Sequence, residues 1–260
     1  PGYQNGRAIE CFGEVMKTRQ DNVVLALKVM PDEALDDGLR TLNTDHVEIV
    51  IPPIDDVPTL RSDELRERFT AAKAAGKCGH MGFACHTQKA EIIDAAVDAG
   101  WFDVILMSYA DTSNPEFMQS LERARAAGVA IMAMKGLPKR AEGAEALAKK
   151  DLYASLCSTM VGRKQAHAVL ASMGSHQVVG MYREILENRL GFVDPGLERR
   201  YWAGQRGEYC GMCGECRGLC PNGVEVADIV RFRMYDRDYR MRDYARAEYA
   251  SLPAGCRGDN

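Results

Sequence analysis

Residues 79–109 read GHMGFACHTQKAEIIDAAVDAGWFDVILMSY, and this stretch decides the fold. An apolar, strand-like run over 79–86 gives way to an amphipathic helix over 88–100. The helix stops at Ala99-Gly100, where a left-handed cap is useful, and a second apolar run follows over 103–109. Strand, helix and strand in that order make a βαβ unit, which requires parallel strands and a crossover helix. The same alternation extends in both directions. It predicts further strands over 23–29, 47–52, 129–135 and 168–173, and further helices over 5–18, 32–43, 62–76, 115–128, 142–157 and 176–189. Ala75-Gly76 and Ala127-Gly128 end two of those helices just before a strand, as Gly100 does.

A repeat of about 25 to 30 residues per unit suits a doubly wound sheet or a (β/α)8 TIM barrel. No G-x-G-x-x-G follows the first strand, so the barrel is the expected fold. Strands three to eight of the barrel are then the visible ones. A barrel normally has eight strands and the chain opens on a helix, so two N-terminal β units are expected to precede residue 1.

The chain has 260 residues, 46% of them hydrophobic, enough to bury a full core, and its formal charge is −4. That balance gives no global attraction to nucleic acid or anionic membrane, so any partner is chosen locally. The longest apolar runs are strand-sized, such as residues 47–51, which excludes a helical membrane span in this stretch. Nine cysteines are present, most of them scattered, a pattern unlike a disulfide scaffold. Cys11, Cys78 and Cys157 read as small core residues. The barrel is expected over 1–190, a linker or docking segment over 191–207, and a small helical segment over 208–260.

That last segment holds CGMCGECRGLCPNG at residues 210–223. Cys210, Cys213, Cys216 and Cys220 have the spacing C-x2-C-x2-C-x3-C-P, the ferredoxin run for a [4Fe-4S] cluster. Three thiolates two residues apart, in a glycine-rich loop, can each meet a different iron of a cubane. Zinc is the alternative, although zinc modules usually separate two C-x2-C pairs. In two-cluster ferredoxins the cysteine before proline ligates the other cluster. Cys220 therefore completes its own cluster or serves a second one, Cys256 being the other downstream thiol. A second motif beyond Asn260 is the expectation in the latter case. The arginine- and tyrosine-rich tail over 224–250 balances six arginines with six acids, which reads as a solvated, packed helix and not a nucleic-acid surface.

Barrel and cysteine run together resemble the aldo/keto reductases, in particular their branch with a C-terminal ferredoxin-like iron-sulfur segment. PGYQNGRAIECFGEVMK resembles the family's segment after its second strand, LALKV its third strand ending in lysine, and TLNTDHVEIVIPP its helix and fourth strand. GHMGFACH resembles the fifth strand and GVAIMAMKGL the seventh. The resemblance covers residues 1–190 and 208–235. It implies an oxidoreductase with NADP(H) as nicotinamide cofactor and a small carbonyl substrate or a redox partner protein. It makes Tyr3 the general acid and Lys28 the cation that lowers its pKa. The family's aspartate falls before residue 1. Its histidine aligns with Pro53, which has no N–H to donate. The polar pair that holds the nicotinamide amide matches Ala84 and Cys85, and the glutamine of strand six matches Leu106.

His86, at the C-terminal end of the fifth barrel strand, stands where barrel enzymes keep their sites. A pocket role and a packed structural role are both open to it, as they are to Tyr109. Strand alternation separates Cys85 from His80 and His86, which argues against a shared metal site. A catalytically silent barrel acting through its cluster is the competing reading. The resemblance places the protein in the cytoplasm, or in the periplasm where a twin-arginine leader precedes residue 1.

Overall fold

Six strands hydrogen-bond in the order in which the chain makes them, β1-β2-β3-β4-β5-β6. They are β1 (Ala26–Leu27), β2 (Val47–Val50), β3 (Cys78–Cys85), β4 (Val104–Ser108), β5 (Ala130–Met134) and β6 (Ala168–Val169). A doubly wound sheet reverses direction at a switch point, whereas consecutive barrel strands simply follow one another. The observed order is the barrel's. The computed structural model describes residues 6–19, 23–85, 89–109, 115–137, 148–162, 166–205, 216–237 and 241–258.

The chain divides into two compact units, one made of Pro1–Met107 with Ser113–Met132, the other of Ser108–Thr112 with Ala133–Asn260. In the first, β1 pairs with β2, β2 with β3 and β3 with β4, all parallel, in registers such as Ala26↔Ile49, Ile49↔His80 and Cys85↔Met107. Every residue of β4 is buried, as are Met81 to Cys85 of β3. Burial on both faces is what crossover helices impose on a parallel sheet. Those helices are α1 (Arg7–Arg19), α2 (Glu33–Leu42), α3 (Val57–Leu60), α4 (Asp63–Ala74), α5 (Lys89–Ala99) and α6 (Pro115–Ala126).

Local chemistry fixes their ends. Asp32 caps α2 by accepting from the Ala34 N–H at 2.9 Å, and Asp56 caps α3 by accepting from Thr59 N–H at 2.8 Å. Gly76, Gly100 and Gly128 take φ of 72°, 72° and 82°, the left-handed caps expected from the sequence. Gly82 has a different reason: a Cβ there would stand 2.9 Å from the Val104 carbonyl, so the strand crossing needs hydrogen.

β1 is shorter than the expected 23–29. Val24 is 73% exposed, and a bond from Val29 N–H back to the Leu27 carbonyl at 3.2 Å closes the strand ahead of Pro31. Pairing nonetheless reaches Leu25, whose carbonyl accepts from Ile49 N–H at 3.0 Å.

In the second unit, α7 (Lys150–Cys157) runs into a π-helical turn, Ser158–Gly162. β6 is likewise shorter than expected, ending where Leu170 N–H donates to the Ala133 carbonyl at 2.8 Å. α8 (His176–Asn188) follows, and then α9 (Pro195–Gln205), a helix inside the stretch read as a linker. The C-terminal segment is a helical hairpin, α10 (Val226–Arg237) and α11 (Arg242–Ser251), followed by a short 3-10 turn, Ala254–Cys256. No helix among the described residues is long and apolar enough to cross a membrane.

Candidate functional site

Lys28 follows directly on β1, at the strand's C-terminal end. It is half-buried, and desolvation lowers its pKa from the ordinary lysine value while the negative charge of Asp55 raises it. It is the charged member of an otherwise apolar cleft of about 340 Å³ whose walls include Ile9, Phe12, Val24, Leu25 and Leu27. A volume of that order lies at the small end of ligand pockets, roughly 300 to 1,000 Å³.

Asp55 is the residue that sequence reasoning missed. It stands in IPPIDD at residues 51–56. Its neighbour Asp56 is committed to capping α3 through Thr59, by N–H at 2.8 Å and by hydroxyl at 2.9 Å. An acidic pair at a strand end, only one member of which is needed as a cap, is the signal that could have pointed to it.

Pro53 sits beside the end of β3. Ala84 N–H donates to the Pro52 carbonyl at 2.9 Å and Ile54 N–H to the Ala84 carbonyl at 3.0 Å. The backbone thus follows the expected course after β2, but the position carries a ring with no donor. Ala84 and Cys85 are 0% exposed and Leu106 is 8% exposed. These buried apolar side chains offer no carboxamide or hydroxyl, so they do not fit a nicotinamide amide.

Tyr3 and His86 lie outside the described residues, as do Cys210 and Cys213. Tyr109 is 2% exposed, a packed residue whose N–H donates to the Met134 carbonyl at 2.8 Å. His80 stands 3.4 Å from Asp103. Cys78 and Cys85 bound the same eight-residue strand, putting them roughly 20 Å apart at about 3.3 Å per residue, too far to share a metal. Burial pushes the Cys157 thiol up to about 11, which suits an inert core residue. Cys11, expected in the core, is exposed instead.

In the C-terminal segment, Cys216, Cys220 and Cys256 are half-exposed free thiols. Gly223 N–H donates to the Cys220 carbonyl at 3.0 Å, turning the chain after Pro221, and Glu225 N–H donates to the Cys256 carbonyl at 3.0 Å. Arg257 locks that return: its guanidinium donates to the Leu252 and Ala250 carbonyls at 2.8 and 2.6 Å, and its own carbonyl accepts from the Tyr249 hydroxyl. Arg217 reaches Asp228 of α10 at 4.0 Å, and Arg231 reaches the same carboxylate at 2.8 Å. Thiols of this exposure on a tethered loop are chemically suited to iron. Among the described residues no three metal-ligating side chains converge, Cys210 and Cys213 not being among them.

No protein-family profile and no curated protein matches the chain. Solved structures do match. A putative aldo-keto reductase from Pseudomonas aeruginosa, PA4992, aligns over 70% of both chains at 17% identity with a TM-score of 0.55. The apo form of the aldo-keto reductase AKR11C1 from Bacillus halodurans aligns over 75% of this chain and 76% of its own at 21% identity, TM-score 0.56. The thermostable aldo-keto reductase Tm1743, in complex with the inhibitor epalrestat, aligns over 77% and 78% at 15% identity, TM-score 0.58. At these identities the likeness is one of fold: most of the chain is folded as the aldo-keto reductases are.

Proposed function

We propose that the chain is an oxidoreductase of aldo/keto reductase type that acts on a small carbonyl compound and carries a [4Fe-4S] cluster in its C-terminal segment. The observation behind this reading is Lys28: a desolvated cation at a strand's C-terminal end, in this fold, with Asp55 as its countercharge. A phenol near pKa 10 is a poor acid at neutral pH, and an adjacent ammonium favours its ionised form. By the resemblance Lys28 tunes Tyr3, which serves as the proton donor to the carbonyl oxygen. His86, next in sequence after β3, is the remaining polar candidate.

The resemblance implies NADP(H) as the reductant. Ala84, Cys85 and Leu106 do not fit the nicotinamide amide, so they position no hydride donor. Cys210, Cys213 and Cys216, with Cys220 as fourth ligand, would hold the cluster, whose chemistry when bound is one-electron transfer. The chain's own part there is to keep the thiols half-exposed and the loop tied down through Arg217 and Asp228.

Pro53 and the apolar trio favour a second reading: a catalytically silent barrel that serves as an electron-transfer or binding subunit through its cluster. One experiment separates the two. The anaerobically reconstituted protein is titrated with NADPH by fluorescence and then offered 4-nitrobenzaldehyde. Saturable binding with aldehyde-dependent NADPH oxidation, lost in Tyr3→Phe, supports the reductase. No binding up to about 1 mM, the upper end of ordinary KM values, leaves the silent barrel.

A further inference from the structure

Folding separates charges that cancel along the sequence. The tail over 224–250 holds six arginines and six acids, yet the groove between α10 and α11 is lined by Arg233, Arg242 and Arg246 against one carboxylate, Asp236. Phe232, Arg233 and Asp236 share a face of α10, and Arg242, Arg246 and Tyr249 share a face of α11, as residues three, four and seven apart must. The groove has a volume of about 490 Å³. Asp236 is already engaged by Arg242 at 3.1 Å, and Arg233 and Arg246 are exposed. Three of the other acids are spent or turned away. Asp228 holds Arg231 at 2.8 Å, while Asp243 and Glu248 lie about 100° and 240° round the α11 axis from Arg242.

We propose that this groove is the docking surface for an acidic protein of the electron-carrier class. Carboxylates of the partner pair with the guanidinium forks of Arg233 and Arg246, which suit planar two-oxygen acceptors, over a floor that includes Phe232. The protein's net charge is negative, so the attraction is local and fixes orientation. A nucleic acid fits less well. It needs a stripe of positive charge following several phosphates, whereas this patch is bounded by Asp228, Asp243 and Glu248. The position favours an electron carrier, because Asp228 of α10 pairs with Arg217, which follows Cys216, at 4.0 Å, and the helix begins at Val226, six residues after Cys220. Arg233 is then about 10 Å further along the helix at 1.5 Å per residue. The redox class of the partner rests on the iron-sulfur reading; the docking does not.

The test uses the full chain, reconstituted anaerobically, with an acidic plant-type [2Fe-2S] ferredoxin as probe and calorimetry as readout. Wild type should bind at low ionic strength and weaken steeply as salt shortens the Debye length to about 5 Å. Arg233→Glu/Arg246→Glu should weaken binding by at least about tenfold, with Arg233→Gln/Arg246→Gln between it and wild type. Helical circular dichroism and absorbance near 400 nm should be unchanged in both. Equal affinity in wild type and the glutamine variant, which keeps a polar hydrogen-bonding side chain without the charge, overturns the proposal. So does no binding by wild type at about 100 μM, or displacement of ferredoxin by an oligothymidylate. Wild type that lacks the 400 nm band sinks the iron-sulfur reading, and the calorimetry then decides docking by itself.

Discussion

The N–H of Glu225 donates to the carbonyl of Cys256 at 3.0 Å, bringing the last cysteine back beside the loop that leaves Cys220. Proximity of backbone is not ligation, and the proposed cluster gives the two thiols separable roles. Cys216 and Cys220 belong to the C-x2-C-x2-C-x3-C-P run, whereas Cys256 rides on a separate 3-10 turn. Cys216→Ser and Cys220→Ser should lower iron from about four atoms per chain to under about one, with loss of the charge-transfer band near 400 nm. Cys256→Ser should keep both. Iron analysis and absorbance on anaerobic protein check this; full retention of iron in Cys220→Ser would transfer the fourth position to another residue.

Lys28 makes stability depend on pH in a definite direction. Burial lowers its pKa below the ordinary 10.5, with Asp55 opposing the shift. Between the folded and unfolded values the unfolded chain binds more protons, so stability rises with pH through that window and is lost as pH falls through the folded value. Lys28→Met removes the penalty. It should be more stable than wild type near neutral pH, by at most about 1 kcal/mol at this half-buried position, and the difference should vanish as pH approaches 10.5. Urea unfolding across that range reads it. A variant less stable than wild type at every pH would mean that the Lys28 stem contributes packing larger than its desolvation cost.

The same substitution should move activity the other way. If the Lys28 ammonium tunes Tyr3, Lys28→Met and Tyr3→Phe should each lower carbonyl reduction by about 10² to 10⁴-fold, the first without loss of stability. Asp55→Asn withdraws the charge that holds the ammonium up, so the alkaline limb of kcat/KM should move to lower pH while the neutral-pH rate changes little. An unmoved limb would detach Asp55 from the site.

Regular features of the fold were legible because they repeat. Gly76, Gly100 and Gly128 mark three helix ends by the same chemistry, and strand-sized apolar runs between them leave little choice of element. Other features were not legible, each for a physical reason. β1 pairs over fewer residues than its apolar run, since Val23 and Val24 remain 38% and 73% exposed and gain little burial there. Asp55 went unmarked because nothing in the sequence separates it from Asp56; the distinction is three-dimensional. The arginines of the tail cancel against acids in sequence, and only the hairpin reveals which of them share a face. The thiol run, by contrast, is local, and its spacing carries the chemistry without the fold.

α9 shows how a helix can form where hydrophobic periodicity is weak, and it yields the last prediction. Residues 191–207 carry no clear apolar stripe, so nothing in their pattern announces a helix. Polar anchors do the work instead. Asp194 caps the helix, accepting from Gly196 and Leu197 N–H at 2.8 and 3.0 Å. Glu198 then accepts from the Ser155 hydroxyl at 2.5 Å and the Thr159 hydroxyl at 2.8 Å, while Ser155 in turn accepts from Asp194 N–H at 2.7 Å. Ser155 is fully buried, so deleting Glu198 leaves its hydroxyl proton without a partner and away from water. Glu198→Ala and Ser155→Ala should each cost about 1 to 3 kcal/mol. The double variant should cost less than their sum, because both delete the same network. Urea unfolding of the four proteins measures the coupling; strictly additive losses would show that α9 is held by its other contacts.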